Sequence, residues 1–317
     1  MQGRDHGAFG LLIIISAIWG GSFALIKIGL ADFSPLQIVF LRTGIAGLVM
    51  IPVCLFVISE HRVRRIDLAR ICLLALIGYV LPFFLISWGE LHIPSSLAAV
   101  IMATGPLVAF LVARLTGQEM MTPRKALGLL LGFLGVLLLI FTGTYDGAPS
   151  ESAFAMGVAA VLIATFAYVG AGFLTKTLNH IPSTLLTAMT LIIASAASAI
   201  ALSINDESLL NSASIRSWTA IIVLGVLCTA VAAMLRFILI RRSGYVFASY
   251  VGYLIPVFGI LYGLIFLRET LEPVSWIAVA LIAMGLLTFR TQVNAAVAGV
   301  RPNAEPGEGA KPCTKER

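Results

Sequence analysis

Long apolar runs alternate with short polar punctuation along this chain. Ten runs of about 20 mostly apolar residues, the length a membrane-crossing helix needs, fall at approximately 8–29, 35–58, 67–89, 93–115, 123–143, 153–175, 182–204, 216–240, 245–267 and 273–291. Several begin at a proline or just after one (Pro35, Pro94, Pro123, Pro182, Pro273). That suits the first turn of a helix, where no N–H partner is missed. Connections are short, so successive helices are expected to be antiparallel. The first run has no convincing small-residue cleavage site and reads as a span. The stretch 292–317 is polar and rich in Pro, Gly, Glu and Lys, and is expected to be a disordered tail.

The pattern occurs twice. Shifted by 150 positions, Ala98, Pro106, Leu111, Glu119, Pro123, Leu131, Gly135 and Leu137 become Ala248, Pro256, Leu261, Glu269, Pro273, Leu281, Gly285 and Leu287. Each copy is an apolar helix, a connection carrying a glutamate, a helix-starting proline and a second apolar helix, a repeat in the strict sense. Earlier positions agree more weakly at an offset of 147, where Trp19-Gly20 meets Phe166-Ala167 and Pro35 meets Pro182. Five crossings separate Glu119 from Glu269. Five is odd, so the second copy is expected upside down relative to the first. The predicted fold is an all-α membrane protein with ten transmembrane helices as two inverted five-helix repeats, 8–143 and 153–291, followed by a cytoplasmic tail, 292–317.

Composition agrees. Of 317 residues, 59% are hydrophobic and 11% charged, where a soluble domain has roughly 25% charged residues. The mean hydropathy is +1.01. Too little polar surface exists to face water, and lipid is the implied solvent. The net charge of +6 does not point to nucleic acid, because the basic residues form short clusters between apolar runs. With the N-terminus placed in the cytoplasm, sixteen of the 21 Lys and Arg fall in cytoplasmic segments, two in external loops and three within helices. This asymmetry places both termini in the cytoplasm.

The residues also resemble a known family. WGGSF at Trp19–Phe23, Arg42 in the proline-started SPLQIVFLR, and the glutamate connections GQEMMTP and LRETLEP are similar to the drug/metabolite transporter superfamily, EamA type, with two EamA domains. The resemblance covers about 8–291. One departure is Phe166-Ala167-Tyr168 where the second half would carry a tryptophan-glycine pair. The resemblance implies a secondary transporter of the bacterial inner membrane, an exporter of a small metabolite such as an amino acid or a drug-like compound. Inverted repeats suit alternating access, with a site near the midplane between the halves.

Candidate chemistry is sparse. All 15 Asp and Glu lie in loops, tails or the last residues of helices, so no mid-span carboxylate offers itself for proton coupling. Glu90, at the end of the third run, is within reach of a cavity. Coupling to a proton or to a substrate gradient stays open. Three cations lie within runs. Lys27 and Arg236 sit near helix ends and are expected to snorkel to the interface. Arg42 is the eighth residue of its helix, on the order of 10 Å in, where a charge must face protein or water. It is the candidate for binding an anionic substrate group. Trp19, Tyr79, Trp88, Tyr168 and Tyr253 are candidate aromatic lining, and Ser22, Thr104 and Ser249 candidate hydrogen-bonding groups. Packing and back-bonding to the preceding turn compete with these roles. Pro106 and Pro256 occupy symmetric positions and are candidate hinges. Gly128, Gly132 and Gly135 have the spacing of close helix packing.

No enzyme is expected. The histidines (His6, His61, His92, His180) are scattered, the cysteines (Cys54, Cys72, Cys228, Cys313) form no CxxC pair, and no Walker A sequence occurs. No cofactor or metal is implied; the expected partners are a small-molecule substrate and the lipid bilayer. A channel would share the helices but would not need inverted duplication. An integral membrane enzyme would need clustered His, Asp or Cys.

Overall fold

A computed structural model describes residues 6–58, 63–115, 122–142, 150–205, 213–236, 238–239, 242 and 251–285. Among them the only regular structure is helical. The helices are α1 (His6–Gly29), α2 (Pro35–Ile58), α3 (Arg65–Glu90), α4 in two segments (Ser95–Met102 and Gly105–Leu115), α5 (Pro123–Thr142), α6 (Glu151–Lys176), α7 (Ser183–Ile204), α8 (Ile215–Arg236), α9 (Val251–Phe266) and α10 (Pro273–Gly285). Among the described residues seven stretches are long and apolar enough to cross a membrane, and Ala126–Leu138, Leu254–Phe266 and Pro273–Gly285 are shorter apolar helices. Large apolar side chains such as Leu48, Leu55, Ile163, Ile200 and Ile265 lie exposed on their outer faces. A surface of this kind belongs in lipid rather than in water. The chain is a multi-pass membrane protein.

Two helices carry a wider turn. In α3 the segment Leu76–Val80 is π-helical, and the Leu81 N–H reaches back to the Leu76 carbonyl. Pro82 follows directly and has no N–H to offer, which loosens the regular ladder. In α8 the segment Leu224–Val231 is also π-helical. There the Thr229 hydroxyl bonds the Leu224 carbonyl at 2.9 Å.

The two proline positions differ. Around Pro106 the helix is broken: Ser95–Met102 ends at Ala103, and a new helix starts at Gly105. Pro256 instead lies inside α9, which continues through it. The fourth run is therefore two segments, not one kinked rod.

Packing pairs α1 with α8 and α9, α2 with α7 and α8, α3 with α6 and α7, and α4 with α6 and α9. A central core of Ile26, Ile101, Leu107, Phe154 and Ile221 fills the space between α1, α4, α6 and α8. α5 and α10 meet through glycines. A Cβ on Gly135 would stand 2.8 Å from the Ala278 carbonyl oxygen, and one on Gly285 2.7 Å from that of Gly128. Both distances are shorter than any side chain tolerates, so the glycines set how closely these helices approach.

The connection after α9 crosses to another helix. Arg268 has φ 53°, a left-handed conformation uncommon for a residue with a side chain. The next residue, Glu269, is buried, and its carboxylate accepts from Ser95 N at 2.7 Å, Ser96 N at 3.0 Å and Ser96 Oγ at 2.7 Å. It caps the exposed N–H groups that begin α4. This explains the glutamate seen in the second repeat. Its counterpart Glu119 lies outside the described residues.

Candidate functional site

Arg42 is 6% exposed and sits inside the helix assembly. Its Nε donates to Thr229 Oγ1 on α8 at 2.8 Å, and its Cζ stands 3.7 Å from the centre of the Phe83 ring on α3. Because the Thr229 proton goes to the Leu224 carbonyl, a lone pair of that hydroxyl is left for the guanidinium. The π-helical turn of α8 thus orients the acceptor. Phe83 in turn meets Tyr79 edge-on, with centroids 5.7 Å apart, and Tyr168 of α6 at 6.5 Å. A guanidinium against ring faces is an attractive arrangement. It does not supply a full counter-charge. No carboxylate stands at ion-pairing distance from Arg42 among the described residues. A buried cation without a paired anion is costly.

The cluster continues to α1. Trp19 Nε1 donates to the Cys228 carbonyl at 3.0 Å, and Cys228 Sγ contacts the Ile18 carbonyl at 3.4 Å. The Arg236 guanidinium lies 5.8 Å from the Trp19 ring. Cys228 and Thr229 are neighbours on the π turn, so Trp19 and Arg42 are bridged by two consecutive residues.

Of the residues singled out from sequence, Trp19, Arg42, Tyr79 and Tyr168 come together here. Ser22 is buried below Trp19 and donates to its carbonyl at 2.6 Å. Thr104 stands at the break in α4 and donates to the Ile101 carbonyl at 2.7 Å. Both hydroxyls back-bond to their own chain. Trp88 lies near the end of α3, edge-on to His92 with centroids 4.6 Å apart. Ser249 and the side chain of Tyr253 lie outside the described residues. Phe83 and Thr229 are members of the cluster that sequence reasoning misses. The signals are present: Phe83 is one turn beyond Tyr79, and Thr229 is the one hydroxyl between Ala220 and Leu235.

The α3–α4 end of the assembly holds a second polar group. Lys27, expected to snorkel outward, instead turns to the end of α3, where its Nζ donates to the Glu90 carbonyl and, at 3.2 Å, to that of Ile93. Glu90 itself is fully buried. Nearby, Asp32 accepts from Ser214 N at 3.0 Å and Ser214 Oγ at 2.6 Å. The Ser214 and Ser217 hydroxyls hold its carboxyl below the usual carboxylate range. Asp67 at the start of α3 makes a comparable tie to His180 Nε2 at 3.0 Å. Among the described residues no group of three or more His, Cys, Asp or Glu is placed to hold a metal ion.

Comparison with known proteins agrees with this architecture. Residues 7–141 and again 155–291 match the EamA-like transporter family. The chain is 25% identical over 283 residues to the uncharacterized inner membrane transporter YedA of Escherichia coli strain K12, covering 88% of this chain and 89% of that protein. It is 26% identical over 294 residues to the S-adenosylmethionine/S-adenosylhomocysteine transporter of Chlamydia trachomatis serovar L2, covering 87% and 86%. A crystal structure of a protein with 20% identity superposes with a TM-score of 0.62 over 92% of this chain and 99% of its own, a likeness of fold. With both halves matched, the chain belongs to the EamA-like transporter family.

Proposed function

We propose that this protein is a secondary carrier that moves a small carboxylate-bearing metabolite, an amino acid or a molecule with an amino-acid end, by alternating access. The observation that carries this reading is the buried Arg42 guanidinium, held by Thr229 and Phe83 and without a carboxylate partner among the described residues. A substrate carboxylate would complete the charge balance through a charge-assisted bond. Tyr79, Phe83, Tyr168 and Trp19 would pack its apolar body. S-adenosylmethionine and S-adenosylhomocysteine, after which the Chlamydia trachomatis relative is named, both carry such an end. Ser22, Trp88, Thr104, Ser249 and Tyr253 complete the proposed lining, and Pro106 and Pro256 the hinges.

In this reading ten spans form two inverted halves, 8–143 and 153–291, with the tail 292–317 and both termini in the cytoplasm of a cell whose inner membrane holds the protein. The helix pairing supports it. Exchanging each helix for the one five places on leaves α2–α7 and α4–α9 unchanged, and converts α1–α9 into α6–α4, α3–α6 into α8–α1 and α2–α8 into α7–α3. The π-helical turns of α3 and α8 exchange as well. Two halves with one packing code can swap conformations and so move an opening from one face to the other. Export is the direction taken from the family resemblance.

The test is counterflow in proteoliposomes with labelled amino acids and S-adenosylmethionine, with and without a pH gradient. Saturable, trans-stimulated uptake of a carboxylate-bearing compound is expected. Flux that does not saturate would identify a channel instead.

A further inference from the structure

Glu90 is 0% exposed, and neither oxygen of its carboxyl has a hydrogen-bond partner among the described residues. Close by in the chain, Ser87 Oγ, His92 Nδ1 and Ser95 Oγ are also buried and without hydrogen-bond partners among the described residues. Buried polar groups are paired in the great majority of cases. Four orphaned groups within nine residues need a chemical reason. A carboxyl placed so becomes neutral by meeting a cation or by binding a proton. The cation at this end of the assembly is Lys27, and its ammonium donates to the backbone carbonyls of Glu90 and Ile93.

We propose that Glu90 is the group at which this carrier takes up and gives up a coupling proton. The O–H bond forms at a Glu90 carboxyl oxygen, with the proton taken from water on whichever side the site faces. It breaks when the proton returns to water on the other. The charged groups acting on Glu90 are Lys27 from α1, Glu269 from the α9–α10 connection and Arg42 from α2; His92, two residues further along the chain, lies in the field of the same Lys27. α6 presents Gly157 and Val161 to this end of α3, neither of them titratable. Lys27 also argues for a proton over a metal cation. A second fixed cation would be repelled by the ammonium, whereas a proton removes the carboxylate's own charge.

The link to substrate runs along one face of α3. Phe83, Ser87 and Glu90 are spaced four and three residues apart, and so lie on one stripe. Glu90 is therefore about 10 Å along the axis from the ring that backs Arg42. An anion at Arg42 and an ionised Glu90 would compete for the same positive field. Occupation of the Arg42 site and protonation of Glu90 thus favour each other, and by linkage the effect is reciprocal. Substrate and proton therefore cross in the same direction, and export runs down the substrate's own gradient rather than against it. As a coupling group Glu90 presupposes the carrier reading above; its protonation does not.

The deciding experiment is infrared difference spectroscopy of the full-length chain in phosphatidylethanolamine/phosphatidylglycerol proteoliposomes, titrated with acid and alkali, with E90Q as the control. Expected is the carbonyl band of a protonated carboxyl that fades on alkalinisation and is missing in E90Q. No E90Q-sensitive band would overturn the proposal, and so would a band that sodium abolishes at constant pH. Should E90Q fail to fold, E90D keeps the carboxyl and must shift the band; an unshifted band overturns the assignment. Labelled amino-acid uptake provides the second arm. pH-dependent uptake whose pH dependence is lost in E90Q is expected, and pH dependence that survives E90Q would refute the coupling role. No uptake of any amino acid or of S-adenosylmethionine by the wild type would sink the substrate reading, while the infrared band would still decide whether Glu90 binds a proton.

Discussion

Arg42 on α2 and Thr229 on α8 are joined by a 2.8 Å bond from guanidinium to hydroxyl. The bond depends on the π turn of α8, whose Leu224 carbonyl takes the hydroxyl proton and leaves the oxygen free to accept. A helix from each half therefore contributes to one polar contact, and the contact sits beside the aromatic group of α3 and α6.

Replacing Arg42 with Gln is expected to lower substrate affinity by tenfold or more, since a hydrogen bond to a charged group is worth about 1.5–3 kcal/mol. Folded yield, measured by size-exclusion chromatography, should hold, because the substitution removes a costly buried charge. Full transport with unchanged affinity would refute the role of Arg42.

Thr229→Val removes the acceptor while keeping the side-chain shape. In a double-mutant cycle with Arg42→Gln, the two losses in substrate affinity should fall short of additive by about 0.5–1.5 kcal/mol. Additive losses would mean that Thr229 does not position the guanidinium.

Gly285→Val places a side chain against the Gly128 carbonyl. Overpacking of this kind typically costs about 1–3 kcal/mol, so the thermal midpoint in detergent should fall. Transport should decline only in proportion to folded protein, which distinguishes this change from Arg42→Gln.

Glu269→Gln weakens the three bonds that cap α4. Loss of a helix cap costs about 0.5–2 kcal/mol, and hydrogen exchange at the amides of Ser95 and Ser96 should accelerate. Unchanged exchange would show that the cap is dispensable.

Asp32 titrates below the usual carboxylate range because the Ser214 and Ser217 hydroxyls and the Ser214 amide hold it ionised. A carboxyl with a lowered folded value stabilises the fold fully above its unfolded value of about 3.9. That contribution disappears as pH falls through the folded value. Asp32→Asn should therefore lose less thermal stability than wild type on acidification below about pH 4, and equal losses would contradict the tie to Ser214.

The membrane-spanning runs, the internal duplication, the charge asymmetry and the family are properties of residue order, and all were legible in the chain alone. Which residues meet was not. Runs such as Leu11–Ile15 or Leu129–Leu138 are apolar on every side, so no periodic stripe marks the inward face, as it does in a soluble helix. Arg42, Tyr79 and Tyr168 stood out because polar atoms inside lipid are conspicuous. Phe83, chemically ordinary, was indistinguishable from lipid-facing phenylalanines such as Phe9 or Phe141. Lys27 could reach either the interface or a neighbouring helix end, and only the position of the Glu90 and Ile93 carbonyls decided between them. Hydrophobicity determined which segments leave water; packing of small residues, hydrogen bonding and the two widened helical turns determined which faces came together.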